Sequence, residues 1–421
     1  MPKFWTSWYT DNAKKLKMNK RVLFTVAIIT TIILITVVAI FYARGFKLER
    51  KGAISRTGIL VIDSTPDAAS VYLDDRLTSA TDTTISFLTP KKYHLKLTKE
   101  GYSTWEKEIE IKPDLTTEVK ATLFPAIPEL KPLTFTGIIN PVLSPDNQKL
   151  VFGVIEGNKK GLWVMDMAER PLAISRQPRQ IVKDTNDLEF SKAKLTWSPD
   201  SKQILAKLQQ SGKEGAKYTR NYLLDESRLN TNLTDVTATL SSILENWQVQ
   251  INLEEAARIK KIPPELIDLA SKSASFVEPQ MATISAHVGS INYNPANLIW
   301  SPDETKILIA KKKKQAGKEF ENGAQVIKIK DKNPLKKVPV TFDIPPAENI
   351  FWYPDSDHLV LVEKDKISII ESEGTNKVTV YSGSFEDSFV FSWPDGTRLV
   401  ILTSFNQAAG TPPNLYAINL R

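Results

Sequence analysis

Residues 196–200 read Thr-Trp-Ser-Pro-Asp, and an apolar run, Gln203 to Ala206, follows them directly. The same phrase recurs at residues 142–146, 299–303, 352–355 and 392–395, each time ahead of another apolar run. Proline presets φ for the first corner of a tight turn and holds the residue before it extended, while Asp accepts N–H groups of the turn. Each copy therefore predicts two strands joined by a tight turn.

The spacing of the copies predicts a β-propeller over residues 133–421. Their prolines, at 145, 199, 302, 354 and 394, lie 54, 103, 52 and 40 residues apart. Repeats of ~40–50 residues with three or four strands are typical of propeller blades, whereas the alternative is a set of unrelated hairpins in a sandwich. Five copies are readable, and the long interval leaves five to seven blades open.

The repeated phrase resembles the Ser-Pro-Asp repeats of TolB-type β-propellers, a likeness that implies a fold and no activity. We expect the Pro-Asp pairs to build turns within their own blades; the alternative is a ring of catalytic carboxylates. The ten residues of these predicted turns are Pro145, Asp146, Pro199, Asp200, Pro302, Asp303, Pro354, Asp355, Pro394 and Asp395.

The long interval between the second and third copies predicts a helical insertion at residues 236–275. Apolar residues from Val236 to Trp247 recur at helical spacing, Asn252 with Glu255 has the form of a capping box, and Pro263-Pro264 can open a further helix. Two or three short helices are expected. The segment is either a cap on one rim or a partner-binding hairpin, and the candidate contact residues are Trp247, Lys260, Lys261 and Leu266.

Residues 58–124 predict a small β-sandwich of six or seven strands. Tyr93, Leu95 and Leu97 alternate with polar residues, and Thr65-Pro66-Asp67 and Glu100-Gly101 have turn chemistry. A Pro-rich joint, residues 125–132, follows and marks a domain boundary.

This stretch resembles a PEGA domain. The resemblance rests on Ser64, Pro66, Ala68, Val71, Tyr72, Asp74, Pro90, Tyr93, Lys99, Gly101, Tyr102 and Trp105. Glu and Gly of the name-giving tetrapeptide are replaced, because residues 66–69 read Pro-Asp-Ala-Ala. The resemblance implies a surface-exposed, non-catalytic β-sandwich of the kind common in envelope proteins.

Residues 22–43, VLFTVAIITTIILITVVAIFYA, predict a single transmembrane helix. They carry no charge and would form a helix of about 33 Å, enough for a hydrocarbon core of ~30 Å. A buried core helix and a signal peptide are the alternatives. The basic segment 1–21 favours a cytoplasmic N-terminus, so that a linker (44–57) and the two later domains would be extracytoplasmic.

The sequence offers little catalytic chemistry. It contains no cysteine and three histidines, His94, His287 and His358, which lack metal-ligand spacing. No nucleophile elbow and no phosphate loop is present. We therefore expect no enzyme activity, no cofactor and no metal.

The expected partners follow from this organisation. The chain should contact the lipid bilayer and bind an envelope protein through its propeller. Recognition of a cell-wall or surface glycan is the alternative, and a propeller-based hydrolase is a third candidate. The net charge of +7 is small against 103 charged residues, and nucleic acid is not expected outside the cytoplasm. The run Lys311 to Lys314 is expected in a solvated loop between strands.

Overall fold

The computed structural model describes residues 20–43, 46–48, 54–167, 177–211, 217–267, 291–315, 318–329, 340–405 and 412–421. The predictions for residues 1–19, for half of the linker (44–45 and 49–53) and for 268–275, and His287, lie outside these ranges. Contacts between Cα atoms divide the chain into two units. The first contains the described residues up to Lys99 with Thr104–Leu123, and the second contains Glu100–Ser103 with Phe124–Arg421.

The predicted apolar helix is present as α1, Lys20–Ala43. Its window Lys20–Phe41 has a mean hydropathy of 2.8 and contains no residue that is buried within the protein. Thr25, Thr30, Thr31 and Thr36 each donate a hydroxyl to the carbonyl four residues earlier, at 2.8–2.9 Å. The helix thus satisfies its own polar groups, as a segment in lipid must.

The predicted sandwich is confirmed as seven strands in two sheets. A short antiparallel pair, β1 (Phe46–Leu48) and β2 (Ile54–Arg56), precedes it. The sandwich strands are β3 (Gly58–Thr65), β4 (Ser70–Leu73), β5 (Arg76–Ala80), β6 (Thr83–Leu88), β7 (Lys92–Thr98), β8 (Trp105–Glu110) and β9 (Thr116–Thr122). One sheet has the order β6-β3-β9, with β3 and β9 parallel, and the other has the order β5-β4-β7-β8.

The core of the sandwich follows the alternation read from the sequence. Tyr93, Leu95 and Leu97 of β7 are buried, whereas the side chains between them are partly exposed. Trp105 of β8, 2% exposed, lies in the same core. One face of β7 is thus buried, which fixes the register of this strand in its sheet.

The second unit is a β-propeller of five four-stranded sheets in its described residues. From the inner strand outward, the five blades have the following strands. Blade 1 comprises β11 (Ile139–Leu143), β12 (Lys149–Val154), β13 (Gly161–Asp166) and β14 (Arg179–Lys183). Blade 2 comprises β15 (Lys194–Trp197), β16 (Gln203–Ser211), β17 (Lys217–Asp225) and β18 (Thr234–Asp235). Blade 3 comprises β19 (Ile299–Trp300), β20 (Lys306–Gln315), β21 (Lys318–Lys328) and β22 (Thr341–Ile344). Blade 4 comprises β23 (Asn349–Trp352), β24 (His358–Glu363), β25 (Lys366–Glu371) and β26 (Val378–Ser382). Blade 5 comprises β27 (Val390–Ser392), β28 (Arg398–Thr403), β29 (Asn414–Asn419) and β10 (Leu130–Pro132).

The two ends of the propeller sequence share blade 5. Strand β10, which precedes blade 1 in the chain, pairs antiparallel with β29 near the C-terminus, with Leu130 opposite Ile418. Thr134 and Asn414 are joined by a side-chain hydrogen bond of 3.0 Å next to this pair. The ring is therefore closed by strand pairing between residues some 290 positions apart in sequence.

Neighbouring blades pack through shared apolar clusters at four places in the ring. These clusters join blades 1 and 2, blades 3 and 4, blades 4 and 5, and blades 5 and 1. Between blades 2 and 3 two separate clusters occur instead. One joins Leu205 of blade 2 to Trp247, and the other joins Ile307 of blade 3 to Ile262 and Leu266.

The helical insertion accounts for this difference, because it lies between blades 2 and 3 and fills a sixth sector. It contains a 3-10 turn, Thr237–Thr239, the helix α2, Leu240–Ile259, and a helical turn at 264–267. The first half of α2 packs on blade 2, and the residues after α2 pack on blade 3. We call the described parts of this segment, 236–267 and 291–298, the helical sector.

Two local predictions were wrong. Asn252 does not cap a second helix, since it lies inside α2, where Gln248 donates to its side-chain oxygen at 3.0 Å. Lys311 to Lys314 lie in strand β20 and not in a loop. The β20–β21 hairpin is longer than in blade 4, and its register pairs Lys312 with Glu321 and Lys314 with Glu319. This strand pairing depends on the register with β21, which a run of lysines read alone does not indicate.

Candidate functional site

The turn of each repeat is held by its own Asp. In the first three blades the Ser hydroxyl donates to the Asp two residues later, at 2.5 Å (Ser144), 2.6 Å (Ser198) and 2.7 Å (Ser301). In all five blades the Asp also accepts a backbone N–H from the second residue after it, at 2.7–3.2 Å. These carboxylates are therefore engaged in structural hydrogen bonds.

Hydrogen bonds stabilise the charged form of two of these carboxylates, Asp303 and Asp355. Burial by itself would raise the pKa of Asp303, but hydrogen bonds from Ser301 and Thr305 keep it below its usual range. Asp355 is more buried, which also favours a higher pKa, yet the contact of its Oδ2 with His358 Nδ1 at 2.7 Å holds the pKa down. Such lowered values are those of turn-capping groups.

In blades 2, 3 and 4 the Trp of the repeat joins the blade to the element before it. Trp197 Nε1 of blade 2 donates to the carbonyl of Val142 in blade 1 at 3.0 Å. Trp352 Nε1 of blade 4 donates to the carbonyl of Ile299 in blade 3 at 2.8 Å. The same side chain thus forms the same contact at two blade-to-blade seams.

Trp300 of blade 3 makes the equivalent contact with the helical sector. Its Nε1 donates at 3.0 Å to Oε1 of Glu255, which lies on α2. Glu255 is only 5% exposed, and burial raises the pKa of its carboxyl, a shift that the bond from Trp300 opposes. On the other side of the sector, the Tyr293 hydroxyl donates to the carbonyl of Trp197 in blade 2. Side-chain bonds therefore tie the helical sector to both neighbouring blades.

A cavity of about 630 Å³ lies at the centre of the propeller. This volume falls within the range of ~300–1,000 Å³ that is typical of ligand sites. The described residues that line it come from the inner strands and turns of blades 1, 3, 4 and 5 and from α2. They are Leu143, Asp146, Asn147, Gln148, Arg258, Ile299, Trp300, Pro302, Asn349, Phe351, Trp352, Pro354, Val390, Phe391, Ser392 and Pro394.

The wall of the cavity is mostly apolar, aromatic and amide in character. Trp300 and Phe351 are half-buried, and Asn349 is exposed. Asp146 and Arg258 are the charged members of the sixteen described residues that line it. Asp146 is held by its turn, so the cavity does not bring together, within the described chain, the two carboxylates that a glycoside hydrolase uses.

Blade 5 differs from the others in the same wall, because Ser392 stands where blades 2, 3 and 4 carry Trp. Its Oγ is buried and has no hydrogen-bond partner within the described residues. The sequence contained this signal, as the fifth copy of the phrase reads Ser-Trp-Pro-Asp, but it could not indicate that the hydroxyl would lie at a cavity.

The structure separates the four candidate partner contacts of the helical insertion into two groups. Trp247 and Leu266 are buried against blades 2 and 3. Lys260 and Lys261 are exposed, and Lys261 Nζ bonds Glu304 at 2.9 Å. The apolar pair therefore serves ring closure, and Arg258, which the sequence did not single out, is the residue of α2 that reaches the cavity.

The described histidines are placed in structural surroundings. His94 lies 3.7 Å from Glu106 on the sandwich surface, and His358 is buried beside Asp355 and the Phe124 ring. No group of three or more His, Cys, Asp or Glu that could hold a metal occurs in the part of the chain that the structure describes.

Comparison with known proteins supports the first of the two β domains. The PEGA domain model matches residues 57–127. No curated protein matches the chain.

Among solved structures, a putative TolB from Agrobacterium tumefaciens is similar at 13% identity and a TM-score of 0.21, over 67% of this chain and 72% of that chain. TolB from Acinetobacter baumannii is similar at 15% identity and a TM-score of 0.17, over 78% of this chain and 65% of its own length. The β-propeller domain of the Trilobed protease from Pyrococcus furiosus is similar at 11% identity and a TM-score of 0.18, over 86% of this chain and 96% of that chain. The propeller is defined by its own strand order, since TM-scores this low do not show a shared fold.

Proposed function

We propose that this chain is a membrane-anchored, extracytoplasmic interaction protein that binds an envelope protein at the central cavity of its propeller. The observation that carries the proposal is the cavity itself: half-buried aromatic rings and amide side chains surround a space of ligand-site size. Its wall offers contact surface and hydrogen bonds, the properties of a binding site. The protein is accordingly proposed to act without catalysis.

The anchor in this proposal is α1. The helix is long and apolar enough to span a membrane, and its four threonines satisfy their own hydroxyls. The basic residues ahead of it favour a cytoplasmic N-terminus, and we propose on this ground that the sandwich and propeller are outside. The sandwich acts as a spacer between the membrane and the propeller.

A cell-wall or surface glycan is the second candidate ligand. Sugars are bound by aromatic faces and amide side chains, and Trp300, Phe351 and Asn349 supply both on one wall. An enzyme is the weaker third candidate because Asp146 is the one carboxylate among the described lining residues. The partner protein and the glycan are separated by what becomes attached to the cavity in cells.

The test is site-specific photo-crosslinking in cells with the full-length protein. A photoreactive residue replaces Asn349, which is exposed and lines the cavity; the matched control replaces Lys364, which is exposed in the turn between β24 and β25 of the same blade. We expect one recurrent protein adduct from position 349 and none of that mass from position 364. An adduct that glycan-degrading enzymes remove would favour the glycan, and equal labelling from both positions would refute a binding role for the cavity.

Deleting residues 236–275 is a poor alternative test. Trp247, Ile262 and Leu266 pack against blades 2 and 3, so the deletion would remove the apolar contacts that close the ring between those blades. Loss of a partner in that variant would not distinguish a missing contact from a damaged fold.

A further inference from the structure

We infer that Arg258 binds a carboxylate of the ligand in the propeller cavity, an inference that rests on the proposed function. Helix α2 brings this side chain to a wall that is otherwise built by the blades. Arg258 is the one cation among the described lining residues, and its side chain is 45% exposed. A planar guanidinium that remains accessible beside aromatic rings is suited to carboxylate recognition.

The contacts of Arg258 within the protein leave its donors underused. Its Nε lies 3.4 Å from Glu304 Oε1, and its Nη1 lies 3.8 Å from Glu255 Oε2. Charge-assisted N–H···O bonds are normally about 2.7–2.9 Å long, so both contacts are ion pairs that are longer than such a hydrogen bond. The guanidinium has five N–H donors, and these two contacts do not occupy them.

Each of the two nearby carboxylates has a closer partner than Arg258. Glu304 Oε2 accepts from Lys261 Nζ at 2.9 Å, and Glu255 Oε1 accepts from Trp300 Nε1 at 3.0 Å. A ligand carboxylate can therefore form short bonds to Arg258 without breaking the bonds that hold the helical sector to blade 3.

The surroundings define the kind of group that fits. Trp300 and Phe351 line the same cavity and offer apolar contact, while Asp146, the other charged lining residue, is already held by Ser144 and Gln148. The ligand segment is accordingly expected to combine a carboxylate with an aromatic or apolar neighbour. The carboxylate is either an acidic side chain or the C-terminus of the partner.

Three blocked or half-blocked tripeptides distinguish these sources with purified full-length protein in detergent. Acetyl-Phe-Glu-Phe-amide carries a side-chain carboxylate, acetyl-Phe-Ala-Phe carries a terminal one, and acetyl-Phe-Gln-Phe-amide is neutral. Saturation-transfer NMR measures their relative affinities. We expect at least one of the charged peptides to bind five-fold or more tightly than the neutral one, and which one does so identifies the source.

The variants are Arg258→Met, Arg258→Lys and, as the matched control, Lys260→Met. Lys260 is exposed, is the C-cap residue of α2 two positions after Arg258 and does not line the cavity, so its loss removes the same charge from this end of the helix. The preference for the charged peptide should disappear in Arg258→Met, persist in part in Arg258→Lys and remain unchanged in Lys260→Met. Equal binding of charged and neutral peptides by the unmodified protein, no binding of any of them, or an unchanged preference in Arg258→Met would overturn the inference.

The same variants in the photo-crosslinking experiment separate this inference from the proposed function. Loss of the adduct from position 349 in Arg258→Met but not in Lys260→Met supports both. An undiminished adduct in Arg258→Met overturns the role of Arg258 and leaves the binding function standing. Absence of the adduct in the otherwise unmodified protein overturns the binding function itself.

Discussion

The bond between Trp300 and Glu255 gives the most specific prediction of this structure. Trp→Phe substitutions at positions 300 and 352 remove the same indole N–H from equivalent places in the repeat. The acceptor differs, since Trp300 donates to a buried carboxylate and Trp352 donates to a backbone carbonyl. The carboxylate titrates and the carbonyl does not, so the two variants should respond differently to pH.

The magnitudes follow from the two acceptors. A hydrogen bond to a charged group contributes about 1.5–3 kcal/mol and a neutral one about 1 ± 0.5 kcal/mol. We expect Trp300→Phe to lower the free energy of unfolding by roughly 2–3 kcal/mol at pH 7, and by about 1 kcal/mol less near pH 4, where a carboxyl with a raised pKa is protonated. The cost of Trp352→Phe should be the same at both pH values.

The assay is thermal or urea unfolding of the full-length protein in a non-ionic detergent, with each variant compared with the unmodified protein at the same pH. For a domain of about 150–250 residues, 1 kcal/mol corresponds to ~2–4 °C in Tm, which calorimetry resolves. If the cost of Trp300→Phe is independent of pH, or if the cost of Trp352→Phe changes with pH to the same extent, the titration of Glu255 does not control the strength of its bond to Trp300.

Three further predictions concern single side chains, and all are measured by unfolding of the full-length protein. Glu255→Gln should stabilise the protein at pH 7, because the amide oxygen still accepts from Trp300 without a buried charge. The folded-state pKa of Glu255 is raised, so the unmodified protein gains stability as pH falls through that pKa, and the stability difference between the two proteins should close by about pH 4. Asp355→Asn should cost about 1.5–3 kcal/mol at pH 7, since it weakens the bond to His358. The folded-state pKa of Asp355 is lowered, so the contribution of its charge to stability is present above the usual pKa of Asp and is lost as pH falls through the folded-state pKa. A cost that stays constant down to pH 3 would contradict a stabilising charge on Asp355. Gly153→Ala should cost at least about 1–3 kcal/mol, because a Cβ there would lie 2.0 Å from the carbonyl oxygen of Ser191. Gly157→Ala is the comparison, since nothing lies within 4 Å of its Cβ and its φ of +75° leaves only a backbone strain of about 1 kcal/mol; the cost at Gly153 should exceed it.

Much of the architecture could be predicted from local sequence patterns. The apolar run of α1, the alternation in β7 and the five turn phrases each depend on neighbouring residues, so composition and spacing were sufficient to identify the apolar helix, the sandwich and the blades. The helical spacing from Val236 onward was also local and predicted a helix. Its supposed break at Asn252 was wrong because the capping pattern is equally compatible with a helix interior.

The site was much less predictable. Arg258 carries no motif, and its place at the cavity depends on which face of α2 packs against blades 2 and 3. The run of lysines at 311–314 was assigned to a loop because its pairing with the acidic residues of β21 is a matter of register. Contacts of this kind join residues that no short window contains.

The apolar helix α1, the sandwich and the repeating turns were determined by local sequence, because each is specified within a few residues by hydrophobicity, period and turn chemistry. The tertiary structure alone decided that β10 closes blade 5, that a helical sector stands in the ring between blades 2 and 3, and that Trp300 meets Glu255 instead of a blade carbonyl. The physical reason is distance along the chain: closure depends on apolar and hydrogen-bonded contacts between segments that lie from about forty to almost three hundred residues apart.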